Sequence, residues 1–170
     1  MDFFNSYSQN CRDFISSLPE DVKNILLSLP DRYKDYFVIH FRFYIDPEDV
    51  RHLITYPEKC RDILGPELYH YNENNFPPFQ NRTRMWALSW IIENVNYEQL
   101  MKVEYHETFK DFQNLEWEYL KGFPEFSQRK ANKDPSILNT LPPVENRSRE
   151  EVCDWIRHHM KLDDLLYVGL

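Results

Sequence analysis

Apolar residues cover almost the whole circumference of the helix that the sequence predicts over residues 82–95. The hydrophobic positions in this segment are Met85, Trp86, Ala87, Leu88, Trp90, Ile91, Ile92 and Val95. A helix that is apolar on every side is buried on every side. The segment is also shorter than the ~20 apolar residues that a membrane-spanning helix needs. The pattern therefore predicts a helix in the core of a folded domain.

The next segment predicts the longest helix of the chain, over residues 97–121. Its large apolar residues recur at intervals of three and four, as one face of a helix requires. They are Tyr97, Met101, Tyr105, Phe109, Phe112 and Tyr119. Asn96 and Gln99 suit a capping box at the start of this helix, and Gly122 and Pro124 suit its end. We expect the other segments to pack around it.

A proline followed by an acidic residue recurs through the first half of the chain. The prolines concerned are Pro19, Pro30, Pro47, Pro57 and, in a degenerate copy, Pro66. A proline at a helix start forfeits no backbone hydrogen bond, and an acidic side chain there meets the positive end of the helix dipole. The irregular spacing of these sites fits no known repeat period. We therefore predict a series of short helices, the longest of them at residues 31–45.

A last helix is predicted from Ser148, which suits a capping box with Glu151. The Pro-Pro pair before it indicates a hinge. The sequence thus predicts an all-α fold, a compact irregular bundle of about six to eight helices around the long one. We expect a helical core domain at residues 1–141, followed at 142–170 by a hinge and a C-terminal helix that packs on the core.

Composition disfavours two classes of function. The net charge is −8 and both signs are spread along the chain, so the basic surface that nucleic-acid binding needs is not expected. With only three glycines, most glycine-rich phosphate-binding loops are excluded. The chain also lacks the common nucleophile and dinucleotide-binding motifs. We expect a binding protein more than an enzyme, with no cofactor and no metal.

The cysteines and the N-terminal segment bear on where the protein resides. Cys11, Cys60 and Cys153 are odd in number and far apart, which is typical of reduced thiols rather than of a disulfide framework. The first residues lack the basic and apolar regions of a signal peptide. We therefore expect a cytoplasmic or nuclear protein that does not bind membranes. The oligomeric state is left open.

One pair of residues supports an alternative, catalytic function. Glu67 and His70 have the Glu-x-x-His spacing that di-iron helical bundles use. Those bundles need two such pairs and two further glutamates, whereas here one pair lies beside a loop rich in Asn and Pro. A helical enzyme of unknown type using Glu67 and His70 is the alternative function. Nucleic-acid binding is a third and disfavoured one.

The C-terminal segment is the main candidate for partner binding. The Leu-x-x-Leu-Leu spacing lays one apolar edge of a short helix into a groove of another protein, while the last four residues could instead add as a strand to a sheet edge. The candidate residues are Leu162, Leu165, Leu166, Tyr167 and Leu170. We predict a non-catalytic protein–protein interaction module, an adaptor or regulatory subunit. It would bind another protein through an aromatic or apolar surface or through the C-terminal helix.

Overall fold

The computed structural model describes residues 3–68 and 71–168, and all regular structure in this part of the chain is helical. The all-α prediction is therefore confirmed. The α-helices are α1 Gln9–Ser17, α2 Glu20–Ser28, α3 Asp31–Phe41, α4 Pro47–Ile54, α5 Tyr56–Leu64, α6 Arg84–Asn94, α7 Tyr97–Gln113, α8 Trp117–Leu120, α9 Phe123–Lys130, α10 Arg149–His159 and α11 Leu162–Val168. The predicted count of about six to eight was too low, because several predicted helices are divided into shorter ones.

The long helix predicted over residues 97–121 ends at Gln113. The capping box at its start is present, since Asn96 and Gln99 each bind the backbone N–H of the other at 2.9–3.0 Å. At its end, the guanidinium of Arg149 donates to the carbonyl oxygens of Gln113 at 2.6 Å and Leu115 at 3.1 Å. These carbonyls need partners outside the helix. A contact between segments distant in sequence thus fixes a boundary that local propensity does not show.

Two other predicted helices are also shorter than expected. The helix predicted at residues 31–45 ends at Phe41, and a turn over residues 42–45 leads to Asp46, which is extended before Pro47 at the first position of α4. The helix predicted from Ser148 begins there with the expected capping box. It stops at Met160, whose extended conformation (φ −115°, ψ 123°) separates α10 from α11.

The helices group into two compact units, Met1–Val103 and Glu104–Leu170. The division between these units falls within α7, and the domain boundary at 141/142 stays a prediction from the sequence. In the first unit, α6 packs against α2, α4 and α5, and α1 packs against α3. α6 contributes Ala87, Leu88, Trp90, Ile91 and Ile92 to the core, but Met85 and Trp86 are only partly buried, so the predicted burial on every side was too strong. In the second unit, α10 packs against α8 and α9.

Each unit contains one buried arginine held in the same way. In the first unit, Arg82 donates from Nε to the carbonyl oxygen of Pro77 at 3.0 Å and from Nη1 to that of Ile54 at 2.8 Å. Its Nη1 and Nη2 also bind the two carboxylate oxygens of Glu58 at 3.0 and 2.8 Å. The side chain of Arg82 is only 5% exposed. One arginine therefore ties a Pro-Pro turn to the start of α5.

In the second unit, Arg147 makes the corresponding set of contacts. Its Nε donates to the carbonyl oxygen of Pro142 at 2.8 Å and its Nη1 to that of Lys121 at 2.9 Å. Both terminal nitrogens bind the carboxylate of Glu125, which follows Pro124 as Glu58 follows Pro57. The sequence around each arginine is Pro-Pro-x-x-Asn-Arg-Ser/Thr-Arg. The same arrangement thus occurs twice.

The likeness continues through the helices that follow. Thr83 and Ser148 each accept a hydrogen bond from a backbone N–H at 3.1 Å as the N-caps of α6 and α10. Both helices then end on an extended residue, Val95 or Met160. Buried side chains occupy matching positions, as pairs Leu88/Cys153, Trp90/Trp155, Ile91/Ile156, Leu100/Leu165 and Val103/Val168. We call this arrangement the repeated module. The prolines in the first half of the chain are irregularly spaced and did not predict it.

Acid should weaken the second module through Glu125. The hydrogen bond from Arg147 holds the pKa of Glu125 below its ordinary value of 4.5. Ionised Glu125 therefore stabilises the fold above that value, and the contribution is lost as the pH falls from there through the folded-state pKa. Urea unfolding between pH 6 and pH 3 should show a shallower loss of stability for Glu125→Gln than for the wild type. The same change at exposed Glu118 should leave the slope unaltered, and equal slopes in all three proteins would contradict the prediction.

Candidate functional site

The structure divides the predicted C-terminal binding residues between the core and the surface of the second unit. Leu162 and Leu165 are buried, while Leu166 and Tyr167 are exposed on the outer face of α11. Leu170 lies outside the described residues. Two contacts attach α11 to the unit: Lys133 pairs with Asp164 at 2.8 Å, and the ammonium group of Lys130 donates to the carbonyl oxygen of Val168 at 3.1 Å. The Leu-x-x-Leu-Leu edge therefore already has an intramolecular partner.

The residues of the alternative, catalytic hypothesis are only partly placed. Both carboxylate oxygens of Glu67 accept from the ammonium group of Lys102, at 2.9 and 3.0 Å, in an exposed ion pair. His70 lies outside the described residues. Within the described parts of the chain, no cluster of three or more His, Cys, Asp or Glu side chains could hold a metal ion. No specific observation therefore favours this alternative.

An open cleft of about 370 Å³ lies on the first unit, where α1, the turn after α3 and the start of α6 meet. The sequence patterns described above do not indicate this cleft. We name it the Phe43 cleft and define it by Asp13, Phe14, Arg42, Phe43, Ile45 and Arg84. Phe14 is buried, while Phe43 is 63% and Ile45 69% exposed. Large apolar side chains thus stand in solvent beside an apolar floor.

The exposure of Phe43 and Ile45 follows from the early end of α3. In a helix running to residue 45, the side chains of Phe43 and Ile45 would extend its pattern of large apolar residues. Instead, the backbone turns after Phe41, and the N–H of Ile45 donates to the carbonyl oxygen of Phe43 at 2.9 Å. Arg84 supports this turn by donating from Nε to the carbonyl oxygen of Tyr44 at 2.6 Å. The Asp-Pro pair at 46–47 is the local signal that could have revealed the turn.

Two guanidinium groups and one carboxylate give the Phe43 cleft a net positive charge. Arg42 lies over the ring of Phe43 at 4.1 Å and donates to the carbonyl oxygen of Ile39 at 2.9 Å. Arg84 lies over the ring of Phe14 at 5.3 Å. Asp13 accepts from the side-chain amide of Gln9 at 2.7 Å. In the described part of the chain, neither arginine forms an ion pair within 4.0 Å.

Arg84 and Arg149 occupy the same position of the repeated module but are used differently. Each is the first residue of its helix and donates to the backbone at the end of a preceding helical segment. Arg149 uses both terminal nitrogens, on the carbonyl oxygens of Gln113 and Leu115. Arg84 uses Nε alone, on Tyr44. Arg84 lines the Phe43 cleft, and its terminal nitrogens form no hydrogen bond to the described residues.

A cleft of about 530 Å³ in the second unit is lined by His158 and His159 among other residues. These groups contact their own helix: His158 Nδ1 lies 2.6 Å from the carbonyl oxygen of Asp154, and the His159 ring lies 5.1 Å from that of Trp155. Burial lowers the pKa of His159, and the nearby charges of His158 and Lys133 lower it further. These contacts explain the positions of the His158 and His159 side chains, so no bound ligand needs to be inferred.

Comparison of the chain with protein-family models, with curated proteins and with solved structures finds no match. Within the described residues, no helix combines the length and apolar character needed to cross a membrane. The three cysteines are buried and form no disulfide.

Proposed function

We propose that this chain is a non-catalytic protein-interaction module, an adaptor or regulatory subunit, that binds an apolar segment of another protein in the Phe43 cleft. The observation that carries this proposal is the exposure of Phe43 and Ile45 beside the buried ring of Phe14. Large apolar side chains grouped around a concavity are typical of surfaces that bind a partner. Covering them would remove apolar area from water, which is favourable by about 25 cal/mol per Å².

The cleft supports this function better than the outer face of α11 does. On α11, the buried positions Leu162 and Leu165 already contribute to the core, so their use as ligands would require the helix to detach. Leu166 and Tyr167 remain accessible and form a second, smaller candidate surface. The Phe43 cleft needs no such rearrangement, because its rim is exposed in the folded unit.

The proposal includes a location in the cytoplasm or nucleus. Its support is that Cys11, Cys60 and Cys153 are buried and form no disulfide. Buried cysteines that form no disulfide are compatible with a reducing compartment, where disulfides rarely persist. Fractionation of cells expressing the tagged full-length chain would test this part of the proposal, and recovery from the secretory pathway would contradict it.

Site-directed photo-crosslinking in cells tests the binding function. A benzoylphenylalanine in place of Phe43 should capture a defined partner, whereas the same group in place of Tyr167, which is equally exposed at 66%, should not. The purified partner should then bind the Phe43→Ser/Ile45→Ser variant at least about tenfold more weakly than the wild type, since anchor residues of this kind are each worth more than 1 kcal/mol. Leu166→Ser/Tyr167→Ser is the matched control with unchanged affinity.

Two outcomes would contradict this site. Capture from position 167 alone, with binding lost in the Leu166→Ser/Tyr167→Ser variant, would assign the interaction to α11. Equal affinity of the wild type and of folded Phe43→Ser/Ile45→Ser protein for every captured partner would remove the cleft from the proposal. Circular dichroism should show native helix content in both double variants, because the replaced side chains are largely exposed.

A further inference from the structure

We propose that the Phe43 cleft recognises a linear peptide segment in which an Asp or Glu carboxylate lies next to a large apolar side chain. The apolar side chain would sit against Phe14, Phe43 and Ile45, and the carboxylate would accept hydrogen bonds from the terminal nitrogens of Arg84. This inference rests on the proposed function and adds the chemistry of the ligand.

Charge complementarity favours an acidic ligand in the Phe43 cleft. The whole chain carries a net charge of −8, yet the cleft contains Arg42 and Arg84 against the single carboxylate of Asp13. A locally positive site on an acidic protein favours an anionic ligand there and disfavours a cationic one. Asp13 is already hydrogen-bonded to Gln9 and forms no ion pair with either arginine within the described residues.

The hydrogen bonds of Arg149, at the equivalent position of the repeated module, also favour a carboxylate ligand for Arg84. At the equivalent position of the second unit, two carbonyl oxygens accept from Nη1 and Nη2. Both terminal nitrogens of Arg149 therefore have partners within the protein, although Arg149 also lines an open cleft of about 410 Å³. In the first unit the two nitrogens of Arg84 are left at a cleft. A planar guanidinium with both terminal nitrogens available matches the two oxygens of a carboxylate.

The charged guanidinium of Arg84 is energetically unfavourable at its position in the absence of an anion. Arg84 is half-buried, and burial lowers the pKa of its guanidinium from the ordinary range. It is also the first residue of α6, where the positive end of the helix dipole disfavours a cation. Both effects destabilise the unliganded cleft, and an anion bound to Arg84 would relieve both. The ring of Phe14, 5.3 Å from the guanidinium carbon of Arg84, limits the access of water to this group, which strengthens such a pair.

A partner's peptide fits the cleft better than a second copy of this chain. Two copies each carrying −8 repel one another over several ångströms. A short acidic and apolar segment brings little additional charge and can enter a cleft of about 370 Å³. Self-association through the cleft is therefore an outcome that would overturn the inference.

A displayed library of random peptides, selected on the full-length protein and counter-selected on the Phe43→Ser/Ile45→Ser variant, provides the probe. Enriched peptides should carry Asp or Glu beside a large apolar residue. Changing that acid to its amide in a synthetic peptide should weaken binding to the wild type about tenfold or more, as expected for a charge-assisted hydrogen bond. This comparison uses unaltered protein, so it does not depend on the folding of a variant.

Protein variants then locate the carboxylate. The affinity of Arg84→Gln for the acidic peptide should be no higher than the affinity of the wild type for the amide peptide. The variant should also bind the acidic peptide and the amide peptide equally well. Arg149→Gln is the matched control: it should lower thermal stability without changing affinity. Asp13→Asn should strengthen binding of the acidic peptide, since it removes a like charge from the cleft.

The outcomes separate this inference from the proposed function. Enrichment of neutral or basic peptides that still need Phe43 and Ile45 would overturn the inference and leave the function standing. So would equal affinity for acid and amide peptides. If no enriched peptide depends on Phe43 and Ile45 for binding, both the inference and the proposed function are overturned. Wild-type dimers in sedimentation that disappear on Phe43→Ser/Ile45→Ser would assign the cleft to a second copy and overturn the inference.

Discussion

Replacing Arg82 or Arg147 by alanine is expected to lower the free energy of unfolding by about 3–5 kcal/mol, the usual cost of removing one partner of a buried ion pair. The side chains of these arginines are 5% and 4% exposed. Each change leaves a carboxylate, Glu58 or Glu125, without its cation and frees two carbonyl oxygens. The effect of Arg147→Ala should be nearer the lower limit, because Glu125 is more exposed than Glu58.

Urea denaturation followed by circular dichroism measures this prediction, and Arg32→Ala provides its control. Arg32 pairs with Glu98 at 3.3 Å, but the two side chains are 65% and 68% exposed. An exposed ion pair contributes only about 0–1 kcal/mol. Losses below about 1 kcal/mol for both Arg82→Ala and Arg147→Ala would show that the buried arginines do not hold the repeated module together.

Replacing Phe112 by alanine is expected to destabilise the protein by about 3–5 kcal/mol, as observed for large aromatic side chains truncated in cores. Phe112 is 1% exposed, and its ring meets that of Phe123 edge to face with the centroids 4.8 Å apart. Truncation would remove this contact and leave a cavity between α7 and α9. Phe112→Asp should prevent folding of this part of the chain, since it would also place an unpaired charge in the core.

Tyr119 provides the matched control for Phe112. It is another aromatic residue of the second unit, but it is 52% exposed. Tyr119→Ala should change the free energy of unfolding by no more than about 0.5 kcal/mol, as is usual for surface substitutions. Equal effects of Tyr119→Ala and Phe112→Ala in chemical denaturation would contradict the core described for the second unit.

The repeated module separates what stabilises the fold from what is available for binding. The contacts of Arg82 recur at Arg147 atom for atom, so they belong to the scaffold. The contacts of Arg84 do not recur at Arg149. A difference between two copies of one arrangement is therefore a better guide to function here than the shared features are.

Local pattern in the sequence identified most helix starts. The capping boxes at Asn96 and Ser148 are present, and Pro47 begins α4 as predicted. These features depend on residues within one turn of each other, so they can be recognised without knowledge of the fold. Helix ends were predicted less well. The end of α7 depends on Arg149, which is distant in sequence from Gln113.

The candidate site could not be found from local pattern. Phe43 and Ile45 look like core residues in the sequence, because they continue the run of large apolar residues of α3. Only the turn after Phe41 places them in solvent. Conversely, Leu162 and Leu165 look like a free ligand in the sequence but lie in the core. The Pro-Pro-x-x-Asn-Arg pattern occurs at residues 77–82 and again at 142–147. This pattern indicates the internal repeat, which the irregular spacing of the prolines in the first half of the chain does not.

The sequence by itself determined that the chain is all-α, that α6 contributes to a core, and where several helices begin. Those properties follow from hydrophobic periodicity and from hydrogen bonds that close within a few residues. The tertiary structure alone decided where α7 ends, which arginines are buried, and which aromatic side chains face water. Each of these depends on contacts between segments far apart in the chain, whose geometry no short stretch of sequence contains.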